Sequence, residues 1–243
     1  MGTPEETPPE GAGAPSPEAE GIRHLYPFLY SGPTGRADDR RIIWSTETKA
    51  AEIVRLRERV AELYADRIAG CAEAMAARFA AGGRLFTFGN GGSSTDAQEV
   101  ATAFLAPRHG TPLPALSLTT DVALVTALSN DAGFEVVFAR QIAALGRPGD
   151  IALGLSTSGG SANLVQAFEE AGRRGMLTVG LAGYQGGRLT ELAERGLLDH
   201  LFVIPSSSVH RIQEAQTTLY HVLWEVTQYA MGASPRAPAR TGG

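Results

Sequence analysis

Five short apolar runs, each separated from the next by a stretch with helical spacing, restrict this chain more than any other feature. They are Arg84 to Gly89, Ala115 to Leu118, Ile151 to Leu155, Leu177 to Leu181 and Leu201 to Ile204. A strand that is apolar on both faces has to be covered on both, and strands that alternate with helices along a chain pair in parallel. The alternation therefore predicts an α/β fold, a parallel sheet between two helical layers. Ahead of the first strand, Ala50, Ile53, Val54, Leu56, Val60, Leu63 and Tyr64 are spaced mostly for one helix face. Helical character continues to Gly82-Gly83, a stop signal, so one long or two shorter helices precede the sheet. A last helix is expected over about Val209 to Met231.

Residues 1–21 are Pro, Gly, Glu and Ala with almost no large apolar side chain. Such a segment buries too little surface to offset its ordering entropy and reads as disordered, as does the tail 232–243. Residues 22–44 carry the aromatic run HLYPFLY but also Pro27, Pro33 and Gly35, and read as an arm or linker. What remains, 45–231, suits one domain. The formal charge of -5 and a pI near 5.6 give no electrostatic ground for direct nucleic-acid binding. The single Cys71 leaves no intrachain disulfide and no C-x-x-C site. No apolar run approaches the roughly 18 to 20 residues of a membrane span, and the acidic, Pro-rich N-terminus is unlike a signal peptide. A cytoplasmic location is the expectation.

Two strand-to-helix turns carry chemistry. In RLFTFGNGGSSTDAQEVATAF an apolar run passes through glycines into a helix that starts with Ser93, Ser94, Thr95 and Asp96. Such a turn aims free N–H groups and the positive helix end at an anion, and Gly91 and Gly92 let it come close. A tight turn capped by Ser94 or Thr95 is the alternative. A dinucleotide fingerprint fits poorly: Gly89 and Gly91 match its first two glycines, but Ser94 holds the third and Asp121 comes too late. No Gly-Lys-Ser/Thr follows, so a Walker loop fails as well. The second turn, Ser156-Thr157-Ser158-Gly159-Gly160-Ser161-Ala162-Asn163, brings four hydroxyls to one helix start, enough to satisfy phosphate oxygens without Lys or Arg. A serine-rich cap is again the alternative. Two such turns at strand ends favour a ligand cleft.

Four blocks stand in order: GNGGSSTDAQ at Gly89 to Gln98, SND at Ser129 to Asp131, LSTSGGSAN at Leu155 to Asn163, and RIQE at Arg211 to Glu214 followed by His221. With GRPGD at Gly146 to Asp150, the set resembles the SIS (sugar isomerase) family, and within it the phosphoheptose isomerases, over about Ala50 to Met231. The resemblance implies a three-layer flavodoxin-like domain with a five-stranded parallel sheet and a homotetramer with sites at subunit interfaces. It also implies a phosphorylated sugar as ligand and isomerisation of sedoheptulose 7-phosphate. Carried over by residue, it makes Ser93, Ser156, Thr157, Ser158 and Ser161, with Gly91 and Gly92, a phosphate cradle. Asn90 and Asp131 become sugar-hydroxyl contacts. Gln213 and His221, about two turns apart on the last helix, face the site. His221 resembles a general acid-base and, in metal-bearing members, a zinc ligand; without the resemblance it reads as a hydrogen-bonded core histidine.

The departures from the family are as informative. Where the isomerases carry a His and, four residues later, the catalytic Glu, this chain has Glu99 and Ala103. Alanine cannot remove a proton, and losing a positioned base costs about a hundred- to ten-thousand-fold in rate. Glu99, one turn before Ala103 on the same face, is a candidate relocated base paired with His221, or a zinc ligand beside His221 and Gln213. Its bland reading is a solvated carboxylate. Gly160 replaces a phosphate-facing Asn, and the connection PRHGTPLP is shorter than the isomerase loop, with Arg108 nearest to the arginine that loop supplies. Loss of the Glu is similar to a branch that associates with the DnaA initiator, which also resembles this chain at TALSND and GYQGGRL. Two classes of function follow: an isomerase working through a cis-enediol with Glu99 and His221, or a noncatalytic SIS protein that binds a sugar phosphate, a protein partner, or both.

Overall fold

The computed structural model describes residues 39–232. The expected disordered segment 1–21, the arm up to residue 38 and the tail from 233 lie outside the described residues. The chain divides into two units, 1–48 and 49–243. In the first, the described residues 39–48 are helical, and Ile42, Ile43 and Trp44 are exposed. The stretch 39–44, expected as linker, is thus the start of α1, Asp39–Ala80, and the helices expected before the sheet are this single helix of 42 residues. Its one interior glycine, Gly70, costs only about 1 kcal/mol relative to Ala, too little to break it.

In the second unit the elements alternate as the apolar runs predict: β1 Leu85–Gly89, α2 Gly92–Leu105, β2 Ala115–Ser117, α3 Val122–Ala132, α4 Val137–Leu145, β3 Ile151–Leu155, α5 Ala162–Arg173, β4 Leu177–Gly183, α6 Gly187–Glu194, β5 His200–Ile204 and α7 Val209–Ala230. The five strands form one sheet in the order β2-β1-β3-β4-β5, every neighbouring pair parallel. Strands β1, β3 and β4 are buried at every position. Alternate residues serve opposite layers. Leu85, Leu153 and Val179 pack with Met75, Phe104 and Leu219 of α1, α2 and α7. Phe86, Phe88 and Ala152 pack with Ile142, Phe168 and Leu189 of α4, α5 and α6. Each of the buried Phe side chains contributes roughly 1.5–3 kcal/mol.

From β1 the chain moves to one side to make β2, then crosses to the other to make β3. The β1/β3 boundary is therefore the topological switch point, and the crevice beyond those strand ends is where such sheets bind ligands. Helices α2 and α5 both begin there. At the opposite strand ends Asp150, 3% exposed, locks the same two strands together. Its Oδ1 accepts from Arg84 N at 2.9 Å, and its Oδ2 from Arg84 Nη2 at 2.7 Å and Arg147 N at 3.0 Å. That is the structural work of the GRPGD turn.

Candidate functional site

The two hydroxyl-rich turns meet across the switch point through their asparagines. Asn90 Nδ2 donates to Asn163 Oδ1 at 2.9 Å, and Asn163 Nδ2 returns a bond of 2.9 Å to Asn90 Oδ1. Asn163 is 2% exposed. It had no part in the sequence-based site, and only its place at the end of the LSTSGGSAN block hinted at it. Neither α2 nor α5 has a side-chain cap. By contrast Asp121 caps α3, accepting from Leu124 N at 2.9 Å, and Ser208 caps α7. The plain-cap alternative for the two turns is not realised; Ser93 N and Ser94 N donate to Asn90 O and Gly91 O, and Leu164 N to Ser161 O, so it is the first N–H groups, of Gly92, Ala162 and Asn163, together with the positive helix ends that face an anion.

Within the second turn the hydroxyls divide. Ser156 is buried and its Oγ accepts from Gly159 N at 3.0 Å, so it shapes the turn. Ser158 is exposed and its Oγ accepts from Gly160 N at 3.3 Å, while Thr157 and Ser161 are half-buried at the surface. Gly159 has φ +66°, and a Cβ there would collide with the carbonyl of Gly186, so the turn rests directly on the β4–α6 connection. Ser93 is buried at the start of α2. Helix α7 supports both turns. Gln213 packs on Gly92, where any side chain would strike its amide, and its Nε2 reaches Asp96 Oδ2 at 3.5 Å. Burial, above all, raises the Asp96 carboxyl; the Gln213 bond opposes that shift and the Glu99 charge adds to it. Gln216, fully buried, donates from Nε2 to Ser156 O at 3.2 Å.

Six residues after Ser93, about 9 Å along α2 at 1.5 Å per residue, Glu99 meets α7. Its Oε1 lies 3.3 Å from His221 Nε2, and its Oε2 accepts from the Tyr220 hydroxyl at 2.7 Å. His221 Nδ1 is 2.9 Å from Thr217 O. A carbonyl can only accept, so Nδ1 carries a hydrogen, and Nε2 faces the carboxyl favourably only when one proton lies between them. Glu99 and His221 thus stand as a carboxyl and an imidazole close enough to share a proton. Both side chains are about half exposed, which removes the core-histidine reading of His221. Tyr220 is 1% exposed, and burial, above all, holds its phenol above the ordinary range, the bond to Glu99 adding to the shift.

The couple opens on a cleft of about 490 Å³ whose other walls include Ala103, Arg108, His109 and Trp224. The His109 ring stands edge-on to Trp224 with centroids 4.9 Å apart. Arg108 therefore lies where the sequence placed an arginine, whereas His109, Trp224 and Tyr220 went unread. Asp131 is not joined to either turn: it sits exposed in the last turn of α3, its Oδ1 accepting from Asn130 Nδ2 at 2.8 Å. As a zinc site the residues fit poorly. Only Glu99 and His221 offer conventional donors side by side, Gln213 turns its amide to Asp96, and the described residues contain no group of three or more His, Cys, Asp or Glu able to hold a metal.

The SIS domain family model matches residues 50–183. The chain is 44% identical to the phosphoheptose isomerase of Roseiflexus sp. (strain RS-1) over 177 residues, covering 71% of this chain and 86% of that one. It is 41% identical to the phosphoheptose isomerase of Aquifex aeolicus (strain VF5) over 169 residues, 69% of this chain and 86% of that one. The solved phosphoheptose isomerase from Neisseria gonorrhoeae superposes with a TM-score of 0.72 at 33% identity, covering 77% of this chain and 99% of that one.

Proposed function

Since the chain belongs to the SIS domain family, we propose that it is a sugar-phosphate isomerase of the phosphoheptose type, converting the ketose sedoheptulose 7-phosphate into an aldose phosphate. The observation that carries this reading is the Glu99–His221 pair, 3.3 Å apart, placed along α2 from two uncapped, hydroxyl-rich turns. The amides of the turns with Ser93, Thr157, Ser158 and Ser161 take the phosphate, and Asn90, Gln213 and Asp131 bind sugar hydroxyls. The reacting carbons then lie at the couple. Glu99 removes a proton from C1 while His221 gives one to the carbonyl oxygen at C2, forming the cis-enediol. Return of a proton to C2 and removal of the C1 hydroxyl proton leave the aldehyde and restore the couple. No step is routed through a metal.

Assembly into a homotetramer belongs to the same proposal. Helix α3, sequence VALVTALSNDA, has no buried residue, and Val122 and Leu124 are exposed, as is Leu116 of the edge strand. A nearly apolar cleft of about 220 Å³ also opens between α1 and α7 at Val60, Ile68, Leu219 and Val226. Apolar faces of this kind mark interaction surfaces, and a neighbouring copy is the occupant that would also bring Asp131 to a site. Among the described residues no helix is long and apolar enough to cross a membrane, in keeping with a cytoplasmic enzyme. A noncatalytic partner-binding role gives the Glu99–His221 couple nothing to do. The deciding measurement is exchange of the C1 and C2 hydrogens of sedoheptulose 7-phosphate with heavy water, followed by NMR. Exchange is expected; its absence in a protein shown to bind the sugar phosphate would overturn the isomerase reading.

A further inference from the structure

We infer that Tyr220 is a positioning residue for the isomerisation: its buried hydroxyl anchors one oxygen of the Glu99 carboxylate so that the other faces His221 and the cleft. The inference rests on the isomerase reading of that cleft. Glu99 projects from the surface of α2 with its side chain about half exposed, and a free glutamate in that setting samples many rotamers. Two contacts hold it, one on each oxygen: Tyr220 on Oε2 at 2.7 Å and His221 on Oε1 at 3.3 Å.

The two partners are not equivalent. His221 is itself about half exposed, bonded to the backbone of its own helix through Thr217 O and resting against the Tyr220 ring, centroids 4.9 Å apart. Tyr220 is 1% exposed, and its ring belongs to the core shared by α1, α2 and α7, where close packing leaves it no alternative rotamer. A buried phenol must spend its proton on an acceptor. Besides Glu99 it has only Thr217 Oγ1, which has lone pairs to accept with but lies at 3.4 Å, against 2.7 Å to a carboxylate, the shorter and charge-assisted bond. The short bond to Glu99 is therefore the fixed point of the cluster. Being shut off from the cleft, Tyr220 does not touch substrate; its hydroxyl acts through Glu99, while the ring contact with His221 is kept in a Phe variant. One turn further on, Ala103 lines the same cleft and supplies no carboxylate, so proton transfer depends on how well Glu99 alone is held.

Tyr220→Phe removes one oxygen and leaves the ring in the core. The expected result is a fall in kcat of about ten- to a hundredfold with KM changed less than about threefold, because the phosphate is held at the turns. In a Glu99→Asp background, where the shortened side chain draws back from the phenol, the same substitution is expected to add no further loss. Retention of kcat within about twofold in Tyr220→Phe, or a full additional loss on top of Glu99→Asp, overturns the inference. A purely structural role would instead lower the melting temperature and reduce the amount of active enzyme, leaving kcat per active site unchanged. Side-chain couplings of Glu99 measured by NMR separate this inference from the isomerase reading. Rotamer averaging that appears in Tyr220→Phe supports the anchor even if wild type shows no turnover, and an unchanged Glu99 rotamer sinks it even if turnover is brisk.

Discussion

The two ends of helix α2 are built on different principles. At its start, the turn after β1 and the facing turn after β3 present backbone N–H groups and several hydroxyls, with Asn90 and Asn163 tying them together. Two turns further along, the proposed chemistry rests on one carboxylate and one imidazole from separate helices. Donors shared over many amides tolerate the loss of any one, whereas a carboxyl and imidazole couple does not. By the resemblance, the first end departs from the family pattern at Gly160, while the second has Glu99 and Ala103 in place of the His and the Glu and keeps Gln213 and His221. The difference teaches that the backbone-built half of such a site persists while the side-chain half is rearranged around it.

Glu99→Gln is the hardest test of that contrast. It keeps the shape and removes the proton acceptor, so kcat is expected to fall about a hundred- to ten-thousandfold while sugar-phosphate affinity changes less than about threefold. Calorimetry and NMR exchange on the same preparation check both arms. A comparable loss of affinity would mean that the two ends are one site after all.

The same contrast explains what could be read from the sequence. The sheet, its parallel pairing and both turns are local: an apolar run, a glycine-rich turn and a helix start lie within about twenty residues of each other, and the pattern announces them. The Tyr220 bond to Glu99 joins residues 121 positions apart, and no periodicity points to it. Capping was undecidable for a related reason, since Ser94 and Ser161 have the right chemistry for a cap and only the helix geometry shows that they do not serve as one. The sequence leaves one long or two shorter helices open before the sheet, and the long form holds because Gly70 is too small a cost to interrupt a packed helix. Asp131 stays apart from the turns within one chain, and intrachain geometry gives it no role.

Asn163 offers an intermediate effect. Asn163→Ala deletes both bonds to Asn90 and leaves a partly buried amide without its partner, a change that costs about 1–3 kcal/mol. The turns lose their tie, so affinity for sugar phosphate is expected to weaken about tenfold or more, and a melting-temperature decrease should accompany it. In Asn163→Asp the bond from Asn90 Nδ2 survives, but a nearly buried carboxylate faces Asn90 Oδ1 acceptor to acceptor and puts a negative charge beside the phosphate turns, so the loss of affinity should be larger. Unchanged affinity in Asn163→Ala would show that the reciprocal pair is not what joins the turns. Ser158→Ala should do less again. Its Oγ is one donor among several hydroxyls and amides, each bond contributing about 0.5–1.5 kcal/mol, so affinity should drop by roughly two- to tenfold with kcat unchanged. A loss of a hundredfold would mean that the turn holds phosphate through this hydroxyl rather than through its backbone.

The smallest effect expected is that of metal. For zinc to bind at the second end, His221 Nε2 and Glu99 Oε1 would have to give up any proton they share, and Gln213 would have to leave Asp96 and the surface of Gly92 to supply a third donor. A free imidazole and a single carboxylate make two of the three or four protein donors that zinc sites use. His221 does have the backbone partner on Nδ1 that a ligating imidazole needs, so the obstacle lies in the number of donors and not in the orientation of the ring. Dialysis against a chelator, followed by turnover assays with and without added zinc, should therefore leave kcat within about twofold in either direction. If zinc instead raises kcat tenfold or more, the side-chain end works as a metal site completed from elsewhere, most simply by a neighbouring copy. Glu99 would then be a ligand rather than a base, and Glu99→Gln would lose zinc affinity together with activity. If zinc lowers kcat, with protection by sugar phosphate, the ion competes for the couple as it stands, and the proton-transfer assignment gains support from the inhibition itself.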